Sequence, residues 1–225
     1  MAPRGTSVAI VMPCLNEAAT ILPCVQRAQE ALQILFERQQ LEGEVIVADN
    51  GSSDGSQSIA EQAGARVGNV AERGDGAALI GGFAATDATY LVMGDSDCSY
   101  DFVEAVPMVE RLMDGADFCM GNRFRGEIKD GAMPWKNRYI GNPALSGILR
   151  FLFRTRIGDA HCGLRAIRKD ALVRLNVSST GMEFASEMVL KCVLQKMSIA
   201  EVSGTLSPDG RGRAPHLNPW RDGLR

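Results

Sequence analysis

With two histidines in the whole chain, His161 and His216, and no cysteines spaced C-x-x-C, the sequence lacks the means for a conventional zinc site. Its six cysteines (Cys14, Cys24, Cys98, Cys119, Cys162, Cys192) are scattered, which excludes a disulfide framework and fits free thiols in a reducing, cytoplasmic setting. No run of about 18 apolar residues occurs, so no segment reads as a membrane span. Nor does a leader peptide precede the first strand-like segment, which follows Met1 almost at once. Neither sign of charge dominates: 24 basic against 27 acidic residues leave a net charge of −3, which argues against nucleic acid as the main partner. Internal repeats and low-complexity tracts are missing too. What remains, 45% hydrophobic and 23% charged over 225 residues, suits one soluble globular domain with a sizeable core.

The apolar run 7–12, closed by Pro13, predicts a first strand, and Ile21, Val25, Ala28, Leu32 and Leu35 at helical spacing predict a helix over 18–39. A second buried strand over 44–48 breaks at the turn-rich Asp49-Asn-Gly-Ser-Ser-Asp-Gly55, and a helix resumes near Ser56. A short strand around Arg66 and Val67 leads through Arg73-Gly-Asp-Gly76 into a small-residue helix ending at Ala84, and 90–93 is the next strand. Such alternation implies parallel strands joined by right-handed crossovers, hence an α/β sheet. The later half is less regular. It predicts a helix over 102–113, a strand over 117–120, a long Gly-rich loop over 123–135 and a helix over 138–153. A strand over 163–167, a helix over 182–195 and a strand over 199–206 complete the chain.

The strand 90–93 ends abruptly in Gly94-Asp95-Ser96-Asp97. Alternate residues of an extended chain point the same way, so the two carboxylates can converge on one ion. Hard cations such as Mg2+ and Mn2+ take oxygen ligands and share them with substrate phosphates, and ligands of open α/β sheets gather at the carboxyl ends of strands. The plain alternative is an acidic turn with no ligand. The triplet also resembles the first motif of haloacid-dehalogenase-like phosphatases, but that family's later lysine and acidic pair are not evident.

Pro13-Cys-Leu-Asn16-Glu17 can hydrogen-bond a base or ribose, or can simply cap the helix that follows. A carboxylate at Asp49 can accept from the imide N–H of uracil or guanine, although the same run also serves as an Asx-rich turn. Gly74-Asp-Gly76 departs from the dinucleotide fingerprint at Leu79 and reads as a loop where a nucleotide approaches the backbone closely. Asp159-Ala-His-Cys-Gly-Leu-Arg165 gathers an acid, two bases and a thiol, with His161 equally readable as a satisfied turn histidine. Glu183 and Glu187 share a helix face that is either solvated or turned to a pocket. Arg211-Gly-Arg213 with His216 is a cationic segment suited to phosphate oxygens, or a basic tail. The helical stretch 138–156 sets arginines beside an apolar stripe, as a core helix or one leaning on an anionic membrane would.

Singly these signals are weak; their order is specific. Pro13-x-x-Asn16-Glu17, Asp49-x-Gly-Ser-x-Asp54, Asp95-x-Asp97, Gly121-Asn-Arg123-Phe and Asp159-x-x-Cys-Gly-Leu-Arg165 together resemble family 2 glycosyltransferases of the GT-A fold. Gly181-Met-Glu-Phe-Ala-Ser-Glu187 and Pro208-Asp-Gly-Arg-Gly-Arg213-Ala-Pro-His216 narrow the likeness to the polyprenyl-phosphate branch, the dolichol-phosphate mannose and glucose synthase-like enzymes. The likeness covers nearly the whole chain.

The resemblance implies an inverting transfer of a hexose from a UDP- or GDP-sugar to a polyprenyl phosphate of dolichyl or undecaprenyl type, with Mg2+ or Mn2+ as cofactor. It implies one α/β GT-A domain over 1–217, built on a single Rossmann-like, mostly parallel sheet, with 1–120 binding the nucleotide sugar and 121–217 the acceptor. Residues 218–225 read as the start of an amphipathic segment that stops early. Pro13, Asn16, Glu17, Asp49, Gly74, Gly76, Asp95, Ser96 and Asp97 would surround the nucleotide sugar, with Asp95 and Asp97 holding the metal. Asp97, Asp159, Arg123 and Glu187 would form the catalytic set. Arg123, Arg165, Arg211, Arg213 and His216 would engage the acceptor phosphate. The expected setting is peripheral, on the cytoplasmic face of a membrane, and is compatible with an oligomer. Two other readings stay open: a soluble family 2 transferase acting on a small sugar or phosphorylated acceptor, and a non-catalytic nucleotide-sugar-binding module. Three departures matter. Asn50 replaces the usual second Asp before Gly51, and Cys98-Ser99 stand where mannose-specific members carry Leu-Gln, leaving fewer protein ligands for a metal. The chain also ends where relatives continue into an amphipathic helix.

Overall fold

Apolar strands and one-sided helices alternate through the first ninety residues and build a parallel α/β layer. The computed structural model describes residues 7–135, 138, 139, 147 and 157–211. Its first half runs β1 (Ser7–Cys14), α1 (Ile21–Gln39), β2 (Glu42–Asp49), α2 (Ser56–Gln62), β3 (Arg66–Asn69), α3 (Asp75–Ala84) and β4 (Tyr90–Met93). A 3-10 turn (Phe102–Ala105) leads into α4 (Val106–Met113), followed by β5 (Phe118–Ile128), β6 (Arg165–Arg168), α5 (Lys169–Leu175), α6 (Phe184–Leu194) and β7 (Ile199–Leu206).

The seven strands form one sheet in the order β3-β2-β1-β4-β6-β5-β7. Only β6 runs antiparallel to its neighbours β4 and β5; the other pairings are parallel. Val8, Ile10 and Met12 of β1 pack into a cluster with α1 and α4, while Ala9 and Val11 point to the other face, among residues of α3 and α6. Burial on both faces explains why the strands read as unbroken apolar runs rather than alternating ones. The order of strands reverses between β1 and β4: the chain moves outward from β1 to β3, then returns to pair β4 with the other edge of β1. A crevice opens at the carboxyl ends of strands at such a switch point. Here those ends carry Pro13 and Cys14, Asp49, and the Gly94–Asp97 turn, with Cys14 in register with Asp49.

The expected single, mostly parallel sheet is present, and two segments differ from the sequence reading. The predicted loop over 123–135 begins as strand, because β5 continues to Ile128 and re-pairs with β7 after a register shift between Asn122 and Glu127. Residues 124–127 are exposed, so no apolar alternation announces them. Helix α5 was not anticipated; at seven residues, with only Ala171 and Leu175 buried, it is too short for its period to register. The helix expected over 138–153 lies outside the described residues. No helix among the described residues is long and apolar enough to cross a membrane.

Candidate active site

The loops after β1 and β2 are cross-linked into one wall. Ser52 Oγ accepts from the Asn16 N–H (2.9 Å), Asn16 Oδ1 accepts from the Ser53 N–H (2.9 Å), Ser56 Oγ accepts from the Glu17 N–H (2.8 Å), and Asp54 accepts from the Ala18 N–H (3.0 Å). Asn16 sits at φ 59°, a conformation asparagine tolerates better than most residues, and thereby reaches across rather than capping α1. Behind this wall Asp49 is fully buried. Its Oδ2 accepts from the N–H groups of Gly51 (2.9 Å) and Ser52 (3.0 Å) and from Gln57 Nε2 (2.6 Å). Burial alone would raise its pKa, but the hydrogen bonds from Ser52, Gln57 and Gly51 outweigh it and hold the carboxyl below the ordinary range. Oδ1 of the same carboxylate has no hydrogen-bond partner. A buried acceptor left open costs about 1–3 kcal/mol unless something supplies a donor.

On the neighbouring strand, the turn after β4 is tied to β1 by Ser96 Oγ, which donates to the Pro13 carbonyl (2.6 Å). Asp97 is nearly buried; its Oδ1 accepts from the Ser99 N–H (2.9 Å) and its Oδ2 from Arg211 Nη2 (2.7 Å). Arg211 also meets Glu17 (3.2 Å) and Asp209 (3.3 Å), so one guanidinium bridges three acids from three separate segments. The segment after β7 is laid along this turn by Ser207 N–H to the Ser99 carbonyl (2.9 Å) and Gly210 N–H to the Asp97 carbonyl (2.8 Å). Asp95 is open to solvent, yet protein crowds it around the cleft. Desolvation, then Asp97 and Asp75, raise its carboxyl's pKa above the ordinary carboxylate range, against the pull of Arg211 and Arg165.

This concentration of acid favours positive charge, and Arg211 already supplies some of it against Asp97. The donors are carboxylate oxygens, which suit Mg2+ or Mn2+ sharing its shell with phosphate and water, and do not suit zinc. No cluster of three or more His, Cys, Asp or Glu side chains that could hold a metal occurs among the described residues. Asp95 and Asp97 therefore fit a hard divalent ion only in company with ligand oxygens.

The opposite wall brings protein backbone against both glycines. A Cβ on Gly74, at φ 131°, would lie 2.1 Å from the Thr180 carbonyl oxygen, and one on Gly76 would lie 2.4 Å from the Ser179 carbonyl oxygen. It is the protein's own 179–181 backbone that approaches here, and Ala77 N–H donates to Thr180 O (3.0 Å). Asn50 secures the preceding loop, donating to the Val70 (3.0 Å) and Glu72 (2.7 Å) carbonyls and accepting from the Gly74 N–H (2.7 Å). An aspartate at this position could not make the two donations.

Glu187 holds the 178–181 segment from behind. Its carboxylate accepts from the N–H groups of Ser178 and Ser179 (2.8 Å for the latter) and pairs with Lys191 (2.6 Å). Burial opposes the charged form, but Lys191 and the serine donors prevail and hold its pKa at about 2. A depressed folded-state pKa contributes stability above the unfolded value and loses it as pH falls through the folded one. Glu187→Gln is therefore expected to remove about 2 kcal/mol of the stability that the native protein loses on acidification from about 4.5 to about 2, read from urea midpoints across that window.

Arg123 and Asp159, both assigned to catalysis by resemblance, face each other: Nε to Oδ2 is 2.6 Å and Nη2 to Oδ1 is 2.7 Å, in a bidentate pair with side chains 7% and 0% exposed. The Arg123 N–H adds a third bond to Asp159 (3.0 Å). Arg165 is not turned to a phosphate either. It is 1% exposed and donates to the carbonyls of Cys162 (2.8 Å), Ala160 (3.1 Å) and Ala185 (2.6 Å). In these contacts the three residues brace the turn over 159–165. Arg213 and His216 lie outside the described residues.

Between the two walls lies a cavity of about 220 Å3, lined by Pro13, Asp75, Gly76, Asp95, His161 and Met182 among others. Asp75 and His161 line it without belonging to the set that the resemblance implies. The only signals for them were one acid between two glycines and one histidine inside the Asp159–Arg165 motif.

The Glycosyl transferase family 2 model matches residues 9–175. The low-salt glycan biosynthesis hexosyltransferase Agl6 of Haloferax volcanii is 38% identical over 220 residues, covering 97% of this chain and 52% of Agl6. The chain thus spans about half the length of that relative. The dolichyl-phosphate hexose transferase of the same organism is 32% identical over 160 residues, covering 70% of this chain and 67% of the relative. Among solved structures, glucosyl-3-phosphoglycerate synthase from Mycobacterium tuberculosis, in complex with Mn2+, UDP and phosphoglyceric acid, superposes with a TM-score of 0.69 at 24% identity, covering 98% of this chain and 74% of the other. That similarity places the fold in the GT-A class.

Proposed function

The chain belongs to glycosyl transferase family 2, and from that footing we propose that it moves a hexose from a nucleoside-diphosphate sugar to a polyprenyl phosphate, with inversion. The observation that carries this reading is the placement, on the ends of the two strands that flank β1, of a buried carboxylate oxygen lacking a donor, Asp49 Oδ1, and of the acidic pair Asp95 and Asp97. A pyrimidine or purine imide N–H answers the first, and a metal-bound diphosphate answers the second. Asp49→Asn is expected to weaken binding of UDP or GDP by about 10- to 100-fold, as loss of a charged hydrogen bond does, in calorimetric titration.

A Mg2+ or Mn2+ held by Asp95 and Asp97 would supply Lewis-acid compensation for the charge of the departing nucleoside diphosphate. The chain's own residues orient and screen. Glu17 and Asp97 fix the Arg211 guanidinium beside the acidic pair, where its fork can turn to phosphate oxygens. Asn50 and Glu187 hold the loops that frame the donor, and the Arg123–Asp159 pair fixes the start of the 159–165 turn. The acceptor phosphate is largely ionised at pH 7, its second pKa being about 6, so its oxygen attacks the anomeric carbon without a strong protein base. The new C–O bond forms as the bond to the diphosphate oxygen breaks, and positioning supplies much of the rate.

The polyprenyl acceptor is supported by the motifs over 181–187 and 208–216 and by the dolichyl-phosphate hexose transferase among the relatives. It carries with it a peripheral site on the cytoplasmic face of a membrane. Incubation with radiolabelled UDP- or GDP-hexose, Mn2+ and polyprenyl phosphate in detergent tests it. Label entering an organic-extractable, acid-labile lipid is the expected result. Label in a water-soluble product with a phosphorylated small acceptor would replace the lipid reading, and donor binding without transfer would reduce the chain to a binding module.

A further inference from the structure

The cavity between the two walls is too small for a whole nucleotide sugar; sites for drug-sized ligands occupy about 300–1,000 Å3, and this one about 220 Å3. Its polar lining includes Asp75 from the first turn of α3, Asp95 from the end of β4, and His161 from the 159–163 turn. Its apolar lining includes Leu79, Met93 and Met182. A lining of acids and an imidazole over an apolar floor suits a compact ring carrying hydroxyls on its edge and C–H groups on its face.

His161 is held unusually firmly. The Arg165 guanidinium grips backbone: it donates to the carbonyls of Ala160 and Cys162, the residues on either side of His161, and to Ala185 of α6. Gly163 N–H donates to the Tyr100 hydroxyl (2.9 Å), fixing the far end of the turn. A Cβ on Gly163 would lie 2.8 Å from Asp95 Oδ2, so the turn abuts the acid. In this clamped setting His161 Nε2 is buried and has no hydrogen-bond partner.

Resting on the function proposed above, we infer that His161 is a specificity-determining residue that hydrogen-bonds a hydroxyl of the donor hexose and so selects among epimeric sugars. Burial lowers the imidazole's pKa, and Arg165 and Arg123 lower it further, so it is neutral at pH 7. A neutral imidazole offers one donor and one acceptor nitrogen. A hydroxyl is itself both donor and acceptor and satisfies either tautomer, whereas a phosphate oxygen satisfies only the one that carries its proton on Nε2. A sugar hydroxyl is therefore the partner that fits Nε2 in both tautomers. A site built to bond a particular hydroxyl rejects an analogue lacking it strongly, because the buried partner is left open.

The test measures KM and kcat for UDP-glucose, UDP-galactose and GDP-mannose, and affinities for UDP and GDP without sugar, in the wild type and in His161→Ala and His161→Gln. His161→Ala is expected to reduce kcat/KM for the preferred donor about tenfold or more and to narrow its preference over the other hexoses, with binding of bare UDP or GDP within twofold of the wild type. His161→Gln, which keeps an amide near the Nε2 position, is expected to restore part of the preference. An unchanged preference in His161→Ala, or equal losses for bare nucleotide and nucleotide sugar, would overturn the inference while leaving the transferase reading intact. A wild type that transfers no sugar from any of the three donors would overturn both.

Discussion

Asp97→Asn is expected to reduce sugar transfer by roughly a thousandfold while leaving the protein folded. The substitution keeps an oxygen for the Ser99 N–H, so the turn after β4 retains its local bond. It removes the charge that Arg211 meets at 2.7 Å, but Arg211 still has Glu17 and Asp209. It also relieves the repulsion that Asp97 exerts on Asp95. Those two effects on stability oppose each other, and the melting temperature should move by only a few degrees. In the proposed function, what is lost is one of two residues that would hold the metal, and the anchor of the arginine beside it. Asp209→Asn, which touches the same guanidinium through Nε at 3.3 Å, should cost less than about tenfold. Initial rates across a Mn2+ titration, with melting curves alongside, separate the two outcomes; near-normal turnover in Asp97→Asn would contradict the assignment.

Asp159→Ala should do the reverse, striking stability first. It leaves the Arg123 guanidinium buried without its bidentate partner, and breaking such a pair costs about 3–5 kcal/mol. For a domain of this size each kcal/mol lowers the melting temperature by about 2–4 °C, so a fall of roughly 10 °C is expected. The double replacement Arg123→Met with Asp159→Leu removes both charges together and should recover much of that loss, since an apolar pair of similar volume can substitute for a buried ion pair. A direct catalytic role would give the opposite pattern, with activity lost at an unchanged melting temperature and no recovery in the double variant. Scanning calorimetry of the three variants decides between them.

Strand β4 and the acids after it were legible because an apolar run ending in Asp95-Ser-Asp97 has few structural meanings. Strand β7 was legible for its length and its β-branched start. Where the sequence misleads, the reason is a partner distant along the chain. Gly74 and Gly76 look like room for a ligand, yet a side chain at either would meet residues 179–181, more than a hundred positions away, and it is Gly76 that also lines the cavity. Arg123, Asp159 and Arg165 have the chemistry of a phosphate site, and only the folded arrangement reveals that each already has partners. His161 could not be separated from a satisfied turn histidine without knowing that both carbonyls beside it are gripped and its own Nε2 is not. Asn50 reads as a loss of charge from the family's motif, and the structure gives it a gain: two carbonyls held by an amide.

The proposed function requires the crevice at the ends of β1, β2 and β4 to hold a nucleoside diphosphate through Asp49 at the base and Asp95 with Asp97 at the metal. Isothermal titration of UDP and GDP into the protein, with and without Mn2+, measures this directly. One of the two nucleotides should bind with an affinity that rises at least about tenfold when Mn2+ is added, and Asp97→Asn should abolish that rise without abolishing metal-free binding. Binding of neither nucleotide, or an affinity indifferent to Mn2+ in the wild type, would contradict it.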